Sequence, residues 1–204
     1  MSELIAFLQI AVGQSPWEWL AVALGIAYVL LAAKQSKWAW PSAFVSTLIY
    51  TLLFWQEQLP MQALLNAYYL LMAVYGFWLW QQSTPTTQQI NPIQGVQIHR
   101  KPLGFHLGFI TIGFLLSLSI GWFLQNQAQS QLPYLDAAVT VFSVMNTFLM
   151  ARKVLENWLY WIVIDSFAIV LYWHSGFYPT LLMFSLYLVL AWYGYRRWRK
   201  HLTH

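Results

Sequence analysis

The sequence predicts an all-α integral membrane protein of seven transmembrane helices, arranged as two three-helix repeats joined by a linking helix. Three observations carry that prediction. The 204 residues are 59% hydrophobic, 19% aromatic and only 8% charged, whereas about a quarter of a soluble domain is charged. Every Lys and Arg falls after an odd-numbered apolar run. The chain also matches itself when shifted by 118 residues.

The elements follow in order. Residues 1–16, MSELIAFLQIAVGQSP, lack a basic leader and are too short to cross a bilayer, which takes about 20 apolar residues; they read as an interfacial helix. Apolar runs then fall at 17–33, 39–56 and 60–80, at 104–124, and at 134–151, 157–174 and 177–195. Between the third and fourth lies QQSTPTTQQINPIQGVQIHRK, rich in Gln, Thr and Pro and the one stretch of linker composition. The organisation is therefore a first repeat over 17–80, a loop and linking helix over 81–133, and a second repeat with a basic tail over 134–204.

Charge sets the orientation. The ten basic residues are Lys34, Lys37, Arg100, Lys101, Arg152, Lys153, Arg196, Arg197, Arg199 and Lys200, and the opposite side carries Glu3, Glu18, Glu57 and Asp136. Positive loops stay in the cytoplasm, so the N-terminus is outside and the C-terminus inside. The same distribution explains the net charge of +4 without nucleic acid.

At the 118-residue offset Trp40 meets Trp158, Trp55 meets Trp173, Tyr69 meets Tyr187 and Trp80 meets Trp198. Tyr75-Gly76 meets Tyr193-Gly194, Lys34 meets Arg152, and Glu18 meets Asp136. Three spans reverse the chain, so a second unit of the same orientation needs one extra span, which the 104–124 helix supplies. Parallel repeats of this kind place substrate near mid-membrane at the repeat interface.

The repeat shares its aromatic scaffold but not its buried polar residues. Trp17, Trp19, Trp38, Trp78, Trp80 and Trp198 read as interfacial anchors or packing. Asp165, by contrast, meets Thr47; Asn66 meets Phe184, Asn146 meets Tyr28 and Asn157 meets Ala39. A charge in mid-membrane costs roughly 2.5–3.5 kcal/mol on insertion scales, so Asp165 should face the interior and act there. Trp158, Trp161 and Asp165 share a helical face at i, i+3 and i+7, and Gln62, Asn66 and Tyr69 form a second polar stripe. Indole faces beside a carboxylate suit a flat heteroaromatic cation. The candidate substrate-binding residues are thus Trp158, Trp161, Asp165, Asn66, Tyr69, Gln62, Asn157 and Asn146. Belt anchoring is the competing reading of the two tryptophans, and interhelical hydrogen bonding that of Asn66 and Asn146.

Other classes find no support. No lysine lies within a span to carry retinal, and no HExxH or phosphate-binding glycine loop is present. With no cysteine, disulfides, thiolate metal sites and cysteine nucleophiles are excluded. No cofactor, metal or enzymatic activity is expected.

The segments WAWPSAFVSTLIY (38–50), YGFWLW (75–80), DAAVTVFSV (136–144), ARKVLENWLYW (151–161) and GFYP (176–179) resemble the PnuC family of bacterial vitamin transporters over nearly the whole chain. The resemblance implies a 3+1+3 fold similar to the SWEET sugar transporters, a homotrimer in the bacterial inner membrane, and facilitated diffusion of an unphosphorylated vitamin. A cytoplasmic kinase then traps the product, and no coupling ion is expected. Nicotinamide riboside is the family's default substrate, and relatives carry thiamine or riboflavin. Members similar to the riboside carriers usually have Gln where this chain has Asn66 and Asn where it has Asp165. An ionised Asp accepts hydrogen bonds but cannot donate to a carboxamide, so Asp165 favours thiamine as the alternative.

Overall fold

A computed structural model describes residues 16–56, 60–82, 97–126, 132–174 and 178–202. The described residues form seven helices: α1 (Pro16–Ala33), α2 (Ala39–Gln56), α3 (Pro60–Gln81), α4 (Leu103–Asn126), α5 (Pro133–Ala151), α6 (Asn157–His174) and α7 (Tyr178–Lys200). No strand occurs among them. Each expected span is thus a helix, offset by a residue or two at most ends, while α7 runs on through the basic cluster. The expected N-terminal interfacial helix and most of the 81–97 loop lie outside the described residues.

The chain folds as two compact units that divide between Gln97 and Ile98. In the first, α2 packs against both α1 and α3. In the second, α4 packs on α5, α5 on α6, and α6 on α7. Proline at the start of α1, α3 and α5 suits the first helical turn, where its missing N–H would have no partner.

The units share local geometry at the 118-residue offset. α1 ends on Gln35 and α5 ends beyond Arg152 on Lys153, both with left-handed backbone at φ 57° and φ 53°. Around each, two hydrogen bonds close the helix: Gln35 N to Ala32 O and Ser36 N to Leu31 O in one, Lys153 N to Met150 O and Val154 N to Leu149 O in the other. This pairing is a Schellman motif, which satisfies carbonyls that a helix end would otherwise leave open. The restart is shared too, since Ala39 N reaches Ser36 O and Asn157 N reaches Val154 O.

Packing repeats in the same way. Trp40 meets Trp80 edge-on at 5.5 Å and 88°, and Trp158 meets Trp198 at 5.3 Å and 90°. A Cβ added to Gly76 would lie 2.3 Å from Trp40, and one added to Gly194 would lie 2.6 Å from Trp158. Each glycine therefore exists to let an indole lie flat on the next helix. The four tryptophans are all at most 2% exposed, so Trp80 and Trp198 are packing residues rather than interfacial ones, whereas Trp17, Trp38 and Trp78 are well exposed.

α4 buries one stripe, Phe109, Gly113, Ser117 and Gly121, at four-residue spacing. Small residues there admit Phe142 and Tyr134 of α5. Most of its remaining surface is apolar and exposed, including Leu107, Ile110, Phe114, Leu118 and Trp122. By length and apolarity α4 and α5 each suffice to cross a bilayer, and shorter apolar stretches lie within α1, α2 and α6.

Candidate functional site

α6 carries most of the candidate residues and shows two clean faces. Leu159, Val163, Ser166, Phe167, Val170 and Trp173 are exposed, while Asn157, Trp158, Ile164, Asp165, Ala168 and Leu171 are buried. Asp165 is only 3% exposed. Trp161 is half-buried, one turn before Asp165 on the flank of the buried face. Asp165 makes no hydrogen bond or ion pair among the described residues, and it stands about 12 Å along the helix axis from Asn157, the first residue of α6, by the α-helical rise. A carboxyl group in that setting requires a proton, water or a ligand to satisfy it.

Trp158 occupies a different environment. It is 1% exposed, edge-on to Trp198 and pressed on Gly194, the same position that Trp40 holds in the first unit. Its indole Nε1 is buried without a partner, as is that of Trp40.

Asn146 and Asn157 are fully buried and meet at the α5–α6 turn. Asn146 Nδ2 donates to the Asn157 carbonyl at 2.9 Å, and Asn157 Nδ2 donates to the Val154 carbonyl. These bonds join α5 to the first residue of α6. Both side-chain Oδ1 atoms are buried and unpartnered, which leaves two acceptors available at the base of the helix. In the first unit the counterpart of Asn146 is Tyr28, whose ring lies 5.9 Å from Trp40.

Asn66 and Tyr69 belong to α3 in the first unit and are half-buried, with Tyr69 edge-on to Tyr68 at 5.6 Å. Gln62 lies in the first turn of α3, but its side chain is outside the described residues. The structure thus gathers Asn146, Asn157 and Trp158 at one turn and sets Trp161 and Asp165 further along the same helix.

Sequence reasoning passed over a polar group at the start of α4. His106 Nδ1 and Tyr160 Oη are 2.9 Å apart, and the Phe109 ring packs tilted against Tyr160 at 4.7 Å. Arg100 Nε lies 4.0 Å from Glu156. The histidine was scattered among others in the sequence, and only the fold shows its partner. In the adjoining turn, burial pulls the Lys153 ammonium down to about 8. Among the described residues no three His, Asp or Glu converge as a metal site.

A family model described as nicotinamide mononucleotide transporter matches residues 15–200. The chain belongs to this family. The nicotinamide riboside transporter PnuC of Escherichia coli (strain K12) is 21% identical over 173 residues, covering 76% of this chain and 72% of that protein. The Haemophilus influenzae protein of the same name is 27% identical over 195 residues, covering 92% and 82%. A crystal structure of the vitamin B3 transporter PnuC has the same fold, with a TM-score of 0.72 at 22% identity over 97% of this chain and 86% of that one. Family membership makes the chain a membrane transport protein rather than an enzyme, and the resemblance noted from its motifs holds over the whole bundle.

Proposed function

We propose that this protein is an inner-membrane facilitator that imports an unphosphorylated vitamin, with nicotinamide riboside as first substrate. Transport proceeds by alternating access, and phosphorylation in the cytoplasm traps the product. The observation that carries this reading is Asp165, buried on α6 one turn from Trp161 with no protein partner among the described residues. A pyridinium ring stacked on Trp161 would bring its positive charge beside that carboxylate, so ligand and site neutralise one another in a medium of low dielectric. The eight candidate residues divide by role in this proposal. In the second unit Trp161 and Asp165 hold the ring and Asn146, Asn157 and Trp158 fix the start of α6, while Asn66, Tyr69 and Gln62 are the candidate polar stripe of the first unit.

The matched family is described by a mononucleotide, whereas the relatives are named for the riboside. The riboside is preferred because no Lys or Arg occurs within any of the seven apolar runs. A phosphate dianion entering such an interior beside Asp165 would have no counter-charge. The charge distribution and the doubled turn geometry support a 3+1+3 parallel arrangement with its C-terminus in the cytoplasm as part of this proposal. A homotrimer is part of the same proposal.

Asp165 also supports a second substrate. An aminopyrimidine presents an amine donor beside a ring nitrogen, which a carboxyl group can pair with, so thiamine is the alternative. A receptor or assembly subunit that binds without transporting is the reading of a different class. Binding titrations of the purified protein with nicotinamide riboside, thiamine and riboflavin discriminate the substrates. The proposal expects nicotinamide riboside to bind tightest, with thiamine ahead of riboflavin. Thiamine binding tightest would transfer the assignment to the alternative, and no binding of any of the three would refute both.

A further inference from the structure

The α1–α2 and α5–α6 turns follow the same backbone course, yet their surroundings differ. At the first, Trp38 is 62% exposed, and the Lys37 N–H and Gln35 C=O make no backbone hydrogen bond among the described residues. At the second, the counterparts of those two groups are both engaged. The His99 N–H donates to the Lys153 carbonyl at 3.2 Å, and the Leu155 N–H donates to the His99 carbonyl at 2.9 Å. His99 and Val154 thereby form an isolated parallel bridge. Ile98, Lys153, Val154 and Leu155 are all buried beneath this contact.

The contact continues into α4. Arg100 approaches Glu156, His106 bonds Tyr160, and Phe109 packs with Leu149 and Val154. Beyond that, the small-residue stripe of α4 follows α5 as far as Tyr134. Two chain segments that flank α4 and α6 are thus joined by backbone bonds that no side-chain change need disturb. The Arg100–Glu156 pair is half exposed at the arginine and adds little beside them.

We propose that residues 98–100 are a positioning strap: paired with the α5–α6 turn, they fix α4 to α5 and α6 and set the start of α6, the helix that carries Trp161 and Asp165. In this reading the ARK..ENW segment is built to receive the strap. Lys153 supplies the left-handed turn, Leu155 the donor, and Asn157 the backbone carbonyl that Asn146 holds. α4 then travels with the second unit throughout the transport cycle. The functional consequence rests on the transport reading, but the geometry does not.

Two experiments test the strap. Amide hydrogen exchange on the ligand-free protein in nanodiscs reads the backbone contact without any substrate. His99→Pro removes the donor to Lys153, whereas His99→Ala keeps both bonds. The Leu155 amide should exchange about tenfold faster or more in the proline variant and at the wild-type rate in the alanine variant. Equal exchange in the two variants would overturn the proposal. The chain has no cysteine, so a His99→Cys/Val154→Cys pair can be oxidised in isolation, and bridged residues suit the spacing a disulfide needs. With nicotinamide riboside as probe, uptake by the oxidised protein should stay within about twofold of the reduced protein. Loss of uptake on oxidation that reductant restores would mean the strap opens during the cycle, and would overturn its role as a fixed element. A chain that fails to transport but shows the exchange contrast refutes the functional reading and leaves the strap standing.

Discussion

At the scale of single residues, Asp165 and Lys153 are the two informative charges, for opposite reasons. Asp165 is a polar group placed where the repeat does not require one, since its counterpart is Thr47. Asp165→Ala should abolish uptake while the protein still reaches the membrane, read as transport normalised to membrane content; unchanged uptake would remove this residue from the site. Lys153 is a cost imposed by backbone geometry, a buried ammonium on a left-handed turn. Its pKa falls from 10.5 to about 8 through burial. Between those values the unfolded chain keeps the proton that the folded chain has released, so stability rises with pH across that window and is flat below it. The melting temperature should therefore climb as pH is raised from about 8 towards 10. Lys153→Met should flatten the climb and raise the melting temperature at neutral pH. A climb of the same size in the methionine variant would assign it to another group.

At the scale of elements, the helices were legible in sequence because each span is a run of apolar residues bounded by proline, polar or charged residues. Their contacts were legible only in part. The offset pairs Trp40 with Trp158 and Gly76 with Gly194, but nothing in the sequence says that each indole lies on each glycine. Periodicity alone left Trp158 open between ligand and scaffold, and the edge-on contact with Trp198 places it in the helix packing. Gly194→Ala inserts a Cβ 2.6 Å from that ring and should cost about 1–3 kcal/mol through overpacking. Gly76→Ala should behave alike, whereas Gly108→Ala meets nothing within 4 Å and should leave the thermal midpoint within a degree or so of wild type. Equal destabilisation at Gly108 and Gly194 would contradict the packing described. Interhelical hydrogen bonding was anticipated as a competing role for Asn146, though not its partner, the Asn157 carbonyl. The His106–Tyr160 contact was not, because residues 54 apart in sequence leave no periodic trace.

At the scale of the molecule, composition and charge placement were enough to predict a helical membrane protein, and the family match and shared fold agree with that class. The doubled Schellman turns and doubled tryptophan contacts give the 118-residue offset a physical basis: the same turn and the same packing solve the same problem twice. What differs between the copies is where function is expected. The second unit adds α4, a strap across its turn, two buried asparagines and a mid-helix carboxylate. The substrate was less legible than the fold, since it depends on a few polar atoms rather than on the many apolar contacts that define a helix bundle. The central claim is that Asp165 sits in the path of a transported cation. Counterflow in proteoliposomes loaded with unlabelled nicotinamide riboside tests it most directly. Wild-type protein should accumulate external label transiently without any ion gradient, and Asp165→Ala should not; binding of the riboside with no exchange of label by the wild-type protein would contradict the account.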